Sequence, residues 1–144
     1  MVAVTRGENA EYVRSLGASE TIDYTTGDLI DLVRSRYPGG GVDAIIDLVS
    51  DAASLTRLGE LVRAGGRVAS STGAADVAAL EQRGLQGVNV NRATPERLTD
   101  LARLIDDGQL RVPAIRVYPL EQAADALAES ERRHVRGKLV LTVS

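Results

Sequence analysis

Four short segments carry the side chains best suited to holding a ligand: Thr5-Arg6, Asp23-Tyr24, Asp47-Leu48-Val49-Ser50 and Ser70-Ser71-Thr72-Gly73. Each closes a short run rich in apolar or β-branched residues. Three of the four are rich in hydroxyl or amide groups, which suits a polar ligand lying across them. Covalent and metal chemistry are poorly supplied. With no cysteine there is neither a disulfide nor a thiolate nucleophile. One histidine, His134, without cysteine does not make a zinc site of the usual nitrogen and sulfur type, so no metal is expected. His134 also has no carboxylate or serine partner at local spacing, which leaves it a poor candidate for a general acid or base.

The elements that must position these groups follow from periodicity and end signals. Val2–Thr5 predicts a strand, residues 8–16 a helix stopped by Gly17, and residues 21–23 a short strand. Asp28 can cap the next helix, with Asp31 near its positive end and Leu29, Leu32 and Val33 on its apolar face. Val42–Asp47, V-D-A-I-I-D, reads as a buried strand closed by an acid. A helix is expected over residues 52–62, then a turn at Ala64-Gly65-Gly66 into a strand over 67–70. Residues 76–83 predict one or two helical turns, and Gln86–Asn89 a strand. Thr94-Pro95-Glu96 combines an N-cap, a first-position proline and an acid, so a helix should run from there to Asp107 and stop at Gly108. A strand over 115–118, a helix over 119–130 and a strand over 138–143 follow. In that last helix Leu120, Ala123, Ala124, Leu127 and Ala128 share a face.

Strands alternate with helices, which argues for an α/β fold with a doubly wound, mostly parallel sheet and helices on both faces. In such a sheet ligands bind outside the carboxyl ends of the strands, where the four segments fall. The length, 144 residues, suits one domain over 1–144. The 44% apolar and 26% charged fractions are ordinary for a globular chain. Phe and Trp are absent, so Val, Leu, Ile and Ala must build the core. A net charge of −3 without a basic cluster argues against a nucleic-acid partner. No apolar run approaches the ~20 residues of a membrane span, and the N-terminus lacks the parts of a secretory signal. The cytoplasm is the expected compartment by default.

Ala10 to Ala18 followed by Ile22-Asp23-Tyr24 resembles the helix and strand after the second strand of medium-chain dehydrogenases and quinone oxidoreductases. Gly41 to Asp47 resembles their fourth strand. Leu61 to Val68 resembles their L-x-P-G-G-R turn, with Ala64 in place of proline. The C-terminal signature is matched by Leu104 to Leu110, Tyr118 to Ala123 and Arg136 to Leu141. These matches come in the family's order and spacing over nearly the whole chain. The zinc-independent quinone and enoyl reductases are nearer than the zinc alcohol dehydrogenases. The resemblance implies a Rossmann-type dinucleotide-binding domain, incomplete at its N-terminus. The family's first strand and G-x-G-x-x-G turn should precede Val2, and its catalytic domain should precede those. A fragment, an excised domain or a natural truncation is therefore expected.

The resemblance also assigns roles. Thr5-Arg6 follows the strand whose end contacts the adenosine ribose, and an arginine there suits a 2′-phosphate, so NADP is expected with NAD possible. Tyr24 would lie against the adenosine. Leu48 and Val49 belong to the loop near the nicotinamide ribose, with Ser50 where the family has glycine. Ser71, Thr72 and Gly73 form the next loop, near the nicotinamide. Lys138 matches a basic position near the phosphates or ribose, and Arg133 and His134 are its neighbours in sequence. The bland alternatives are a solvated Arg6, a half-buried Tyr24 at a strand end, generic strand-to-helix turns, and an ordinary lysine opening a strand. Residues 84–90 resemble the edge through which family dimers extend their sheets, so a homodimer is expected. The expected function is the cofactor-binding part of an oxidoreductase acting on a quinone, enone or related carbonyl, inactive by itself. The alternative is a non-catalytic nucleotide-binding or dimerising module. A receiver-like phosphoacceptor reading of Asp47 is set aside, because Met1 to Arg6 contains no paired acids.

Overall fold

The computed structural model describes residues 1–90, 92–132 and 135–143. Arg133 and His134 therefore lie outside the described residues. The strands are β1 (Val2–Thr5), β2 (Glu20–Asp23), β3 (Val42–Asp47), β4 (Val62–Ser70), β5 (Gln86–Asn89), β6 (Ile115–Pro119) and β7 (Lys138–Thr142). The helices are α1 (Ala10–Ser15), α2 (Leu29–Arg36), α3 (Ala52–Leu58), α4 (Val77–Gln82), α5 (Pro95–Asp106) and α6 (Ala123–Glu131). The chain divides into two compact units, Met1–Ala93 and Thr94–Ser144.

Among the described residues every strand pairing is parallel, in three sheets ordered β1-β2, β3-β4-β5 and β6-β7. This is the α/β architecture expected from the alternation of elements; within the first unit β1-β2 and β3-β4-β5 are separate ladders. The first unit is held by two apolar clusters. Leu55, Val62, Val68, Ala75, Leu80 and Leu85 form one, between the β3-β4-β5 sheet and helices α3 and α4. Ile22, Ile30, Val33 and Leu61 form the other, with Val2 and Val42 packed against it. The first residues of β1 and β3 thus meet one cluster, and the two sheets share a core at their strand starts.

Local chemistry explains the helix ends. Asp28 accepts hydrogen bonds from the amides of Ile30 (2.9 Å) and Asp31 (3.3 Å). Thr94 caps α5 through the amide of Arg97 at 3.4 Å, with Pro95 opening the helix. Both starts are as the sequence predicts.

Three expectations are corrected. Strand β3 is not fully buried: Ile45 packs against the Leu55 cluster, while Ile46, on the opposite face, is 74% exposed. The helix expected over 52–62 ends at Leu58, passes through one 3-10 turn, and gives Val62 to β4. Residues 64–66 belong to that strand, since β4 bulges rather than turns: Val42 pairs Val62, but Ala44 pairs Arg67.

In the second unit Glu129 of α6 accepts a hydrogen bond from Tyr118 of β6 at 2.5 Å and pairs with Arg116. Ala126 is the buried residue of α6, while Leu120 and Leu127 are exposed, contrary to the expected stripe. Among the described residues the β6-β7 sheet has two strands, too narrow to cover a full helix face. No helix among the described residues is long and apolar enough to cross a membrane.

Candidate functional site

Parallel pairing puts the four polar segments at the carboxyl ends of their strands. In the first sheet, Thr5 pairs Asp23 in register, so the residues that follow each are neighbours. The Arg6 Nε–H donates to the Tyr24 hydroxyl at 3.0 Å. That bond is the main reason the Arg6 guanidinium is held above its already high pKa. Beneath this pair the Gly7 amide donates to Asp23 Oδ2 at 2.8 Å. A Cβ at Gly7 would lie 2.6 Å from the same oxygen, so the turn into α1 admits no side chain without movement. The side chain and amide of Thr25 occupy Asp23 Oδ1 and do most to hold that carboxyl below its ordinary range.

In the second sheet, Asp47 pairs Ser70 in register. Asp47 Oδ1 accepts from the amides of Ser50 (3.1 Å) and Val49 (3.5 Å), and Oδ2 from the Ser70 hydroxyl at 3.3 Å. Thr72 Oγ1 donates to the carbonyl of Ser50 at 3.0 Å. The loop after β3 and the loop after β4 are thus tied side by side. Leu48 and Val49 are 66% and 88% exposed, and Ser71, Thr72 and Gly73 also face solvent. Lys138 opens β7 in the second unit, exposed, with its amide donating to the Ala114 carbonyl.

The structure therefore joins Arg6 with Tyr24, and the 48–50 loop with the 71–73 loop. Sequence reading missed Asp47, Ser50 and Ser70 as the links between those loops. The signal was there in part: an acid closing an apolar strand just before a small-residue turn.

The electrostatics of the strand ends are mixed. Helices α2, α3 and α4 follow β2, β3 and β4, and each starts on a capping aspartate. Asp28, Asp51 and Asp76 accept from amides two or three residues on, at 2.8 to 3.3 Å. Helix starts attract anions through free N–H groups and the positive end of the dipole. Here a carboxylate already takes up that role at all three. Arg57 pairs with Asp28 at 3.3 Å, while Arg6 is hydrogen-bonded to a phenol, with Glu8 and Asp23 acting on its charge through space. The arrangement can receive one phosphate-bearing end of a ligand at Arg6 and a neutral polar end at the hydroxyl-rich loops.

A cleft of about 420 Å³, lined by Arg34, Tyr37, Gly41, Glu60 and Val62 among others, lies at the opposite end, where β3 and β4 start. It is far along the strands from Asp47 and Ser70. Its arginine and glutamate face each other at 3.5 Å, so it offers no net charge to a ligand.

The hydrogen-bonded carboxylates set a pH dependence. Asp23, Asp28 and Asp51 are all held below the ordinary value of 3.8, chiefly by side-chain and amide donors. For Asp47 burial pushes upward as the largest single influence, yet its donors together outweigh it and the carboxyl also stays low. A folded pKa below the unfolded one stabilises the fold above the unfolded value. That contribution is lost as pH falls through the lower, folded values. The urea midpoint should hold level down to about pH 5 and fall progressively below about pH 4. A midpoint that rises on acidification would contradict this.

Residues 16–141 match the family model described as "Zinc-binding dehydrogenase". Among curated proteins, the mitochondrial NAD(P)H oxidoreductase RTN4IP1 of Mus musculus is 28% identical over 99% of this chain and 41% of its own length. The quinone oxidoreductase of Coxiella burnetii superposes with a TM-score of 0.80 at 25% identity, covering 99% of this chain and 44% of that one. A structure described as an NAD-dependent alcohol dehydrogenase superposes at 0.81 with 31% identity, covering 99% and 43%. The chain spans about two fifths of the length of the mitochondrial oxidoreductases it matches. Its fold is Rossmann-type, like those neighbours, and the chain belongs to the zinc-binding dehydrogenase family, with quinone oxidoreductases and alcohol dehydrogenases as its relatives.

Proposed function

We propose that this chain holds a nicotinamide dinucleotide, NADP in preference to NAD, within an oxidoreductase that moves hydride to or from a quinone, enone or related carbonyl. The observation that carries this reading is the Arg6–Tyr24 pair at the carboxyl ends of β1 and β2. The guanidinium, half-buried and fixed by the phenol, suits a ribose 2′-phosphate, and the ring of Tyr24, 45% exposed, suits the adenosine. Thr5 closes the same strand. The names of the relatives support the nicotinamide cofactor and the substrate class. One of those names specifies NAD, so the preference rests on Arg6 alone.

In this reading Leu48, Val49, Ser71, Thr72 and Gly73 border the nicotinamide end, and Lys138 serves the phosphates or ribose. The bound nicotinamide supplies the hydride chemistry. The chain's own residues orient the ring and keep water from it. No metal enters the reading, and no group of three or more His, Cys, Asp or Glu among the described residues is placed to hold one. A homodimer through the open edge of β5, where Val88 is half exposed, belongs to the same reading.

The three aspartate-capped helix starts favour weak binding, because each already places a carboxylate on helix amides where a pyrophosphate would sit. We expect these 144 residues alone to bind weakly and not to turn over. The same caps favour a second reading, a module that keeps the fold and has lost the chemistry.

Titration separates the readings. NADPH should bind about tenfold or more tightly than NADH, the range of charge-assisted hydrogen bonds. Arg6→Ala should erase the difference while leaving the NADH affinity in place. Equal affinities for the two cofactors in the unaltered chain would sink the NADP assignment, and no binding of either would favour the fold-only module.

A further inference from the structure

We propose that Asp47 is a positioning residue that locks the loops after β3 and β4 into one surface, and so sets the affinity for the nicotinamide half of the cofactor. The proposal rests on the cofactor reading above and adds a residue to it.

The geometry is that of a support. Asp47 is 6% exposed and Ser70 1% exposed, while the loops above them lie open to solvent. Asp47 holds its own loop through the amides of Val49 and Ser50. It reaches the other loop through Ser70, whose single hydroxyl proton goes to Asp47 Oδ2. With that proton committed, Ser70 Oγ is left as an acceptor, and it faces the amides of Thr72 and Ala74, both at 3.2 Å. Thr72 Oγ1 lies 3.0 Å from Ser70 Oγ and 3.0 Å from the Ser50 carbonyl, so its proton closes the ring back to the first loop. The orientation of Ser70, and through it of residues 72–74, therefore depends on an acceptor at Asp47 Oδ2. An ionised carboxylate provides one, and the several donors converging on Asp47 keep it ionised.

Asp47→Asn tests this with almost no change of shape. The amide oxygen can still accept from Val49 and Ser50, but an NH2 now meets Ser70 where an acceptor stood. That NH2 and the amides of Thr72 and Ala74 then compete as three donors for the two lone pairs of Ser70 Oγ, and the second loop's anchor weakens. In the full chain, amide hydrogen exchange should quicken about tenfold at Thr72 and Ala74, the cost of one typical hydrogen bond, and stay unchanged at Val68 in the core. Ser70→Ala should give the mirror result, with faster exchange at Ser50. Thr72→Val removes one surface hydroxyl and serves if either buried variant fails to fold. It should loosen Ser50 without touching Val68. Uniform loosening of the core, or change confined to residues 49–50 in Asp47→Asn, would overturn the lock.

The link to the cofactor is read with two probes. NADP+ spans both ends of the site, and adenosine 2′,5′-bisphosphate fills only the adenosine end. Asp47→Asn should weaken NADP+ about tenfold and leave the bisphosphate unchanged. Arg6→Ala should weaken both. An equal loss for both probes in Asp47→Asn, or a loss for neither, would overturn the positioning role. If the unaltered chain binds neither probe, the cofactor reading itself fails, and the exchange experiment still decides whether the loops are locked.

Discussion

Leu55→Ala is expected to destabilise the Met1–Ala93 unit by about 3 kcal/mol, lowering its melting temperature by roughly 15 °C. Leu55 is 2% exposed and sits among Val62, Val68, Ala75, Leu80 and Leu85. Removing its branched end forfeits the transfer energy of the buried carbons and leaves a cavity that α3 cannot fill alone. The chain has no Phe or Trp to compensate. The same change at Leu127, 62% exposed on α6, should cost less than about 0.5 kcal/mol. Chemical denaturation of the two variants checks the contrast. Equal losses would mean that the cluster around Leu55 is not the unit's core.

The second large effect is a backbone one. Gly41 has φ of +76°, and a Cβ there would stand 2.0 Å from the carbonyl oxygen of Leu61. That oxygen belongs to the main chain just before β4, so it cannot swing aside like a side chain. Gly41→Ala should therefore cost on the order of 3 kcal/mol or more and disturb the Val42–Val62 pairing that opens the sheet. Gly65 is the matched control. Its φ is +75°, yet a Cβ there meets nothing within 4 Å. Gly65→Ala should show only the cost of the left-handed conformation, about 1 to 2 kcal/mol. The difference between the two in urea isolates the clash from the torsional strain. Equal costs would show that the close approach at Leu61 carries no weight.

Much of this fold is legible in the sequence because its signals are local. Asp28 before Leu29-Ile30, and Thr94-Pro95-Glu96, mark helix starts through bonds that span only two or three residues. The strands Gln86–Asn89 and Val42–Asp47 stand between turn residues and lie where their patterns place them. The misreadings come from what lies across space. The pair Gly65-Gly66 signals a turn, but a parallel partner draws the chain through a bulge instead. V-D-A-I-I-D looks buried, but only the face of Ile45 meets the core, and Ile46 on the other face is exposed.

The candidate site divides in the same way. Arg6 and Tyr24 are recognisable by type and by their places after strands, while their contact depends on the pairing of β1 with β2, 18 residues apart in sequence. Asp47 and Ser70 are 23 residues apart, and only the parallel register sets them face to face. No spacing rule links them. Asp28 is legible as a cap from its own helix, whereas the same role of Asp51 and Asp76 comes from the structure. Their joint effect on an incoming phosphate emerges only when the parallel sheets gather those helix starts at the strands' carboxyl ends.

The most direct measurement is a titration of NADP+ onto the isotopically labelled chain, followed by amide chemical shifts. Saturable shifts are expected at Arg6, Tyr24, Ser50, Thr72 and Gly73, with a dissociation constant above about 1 μM, weaker than about 8 kcal/mol of binding energy. Shifts gathered instead at Arg34, Gly41 and Glu60, in the cleft at the strand starts, or no saturable shift at millimolar cofactor, would contradict it.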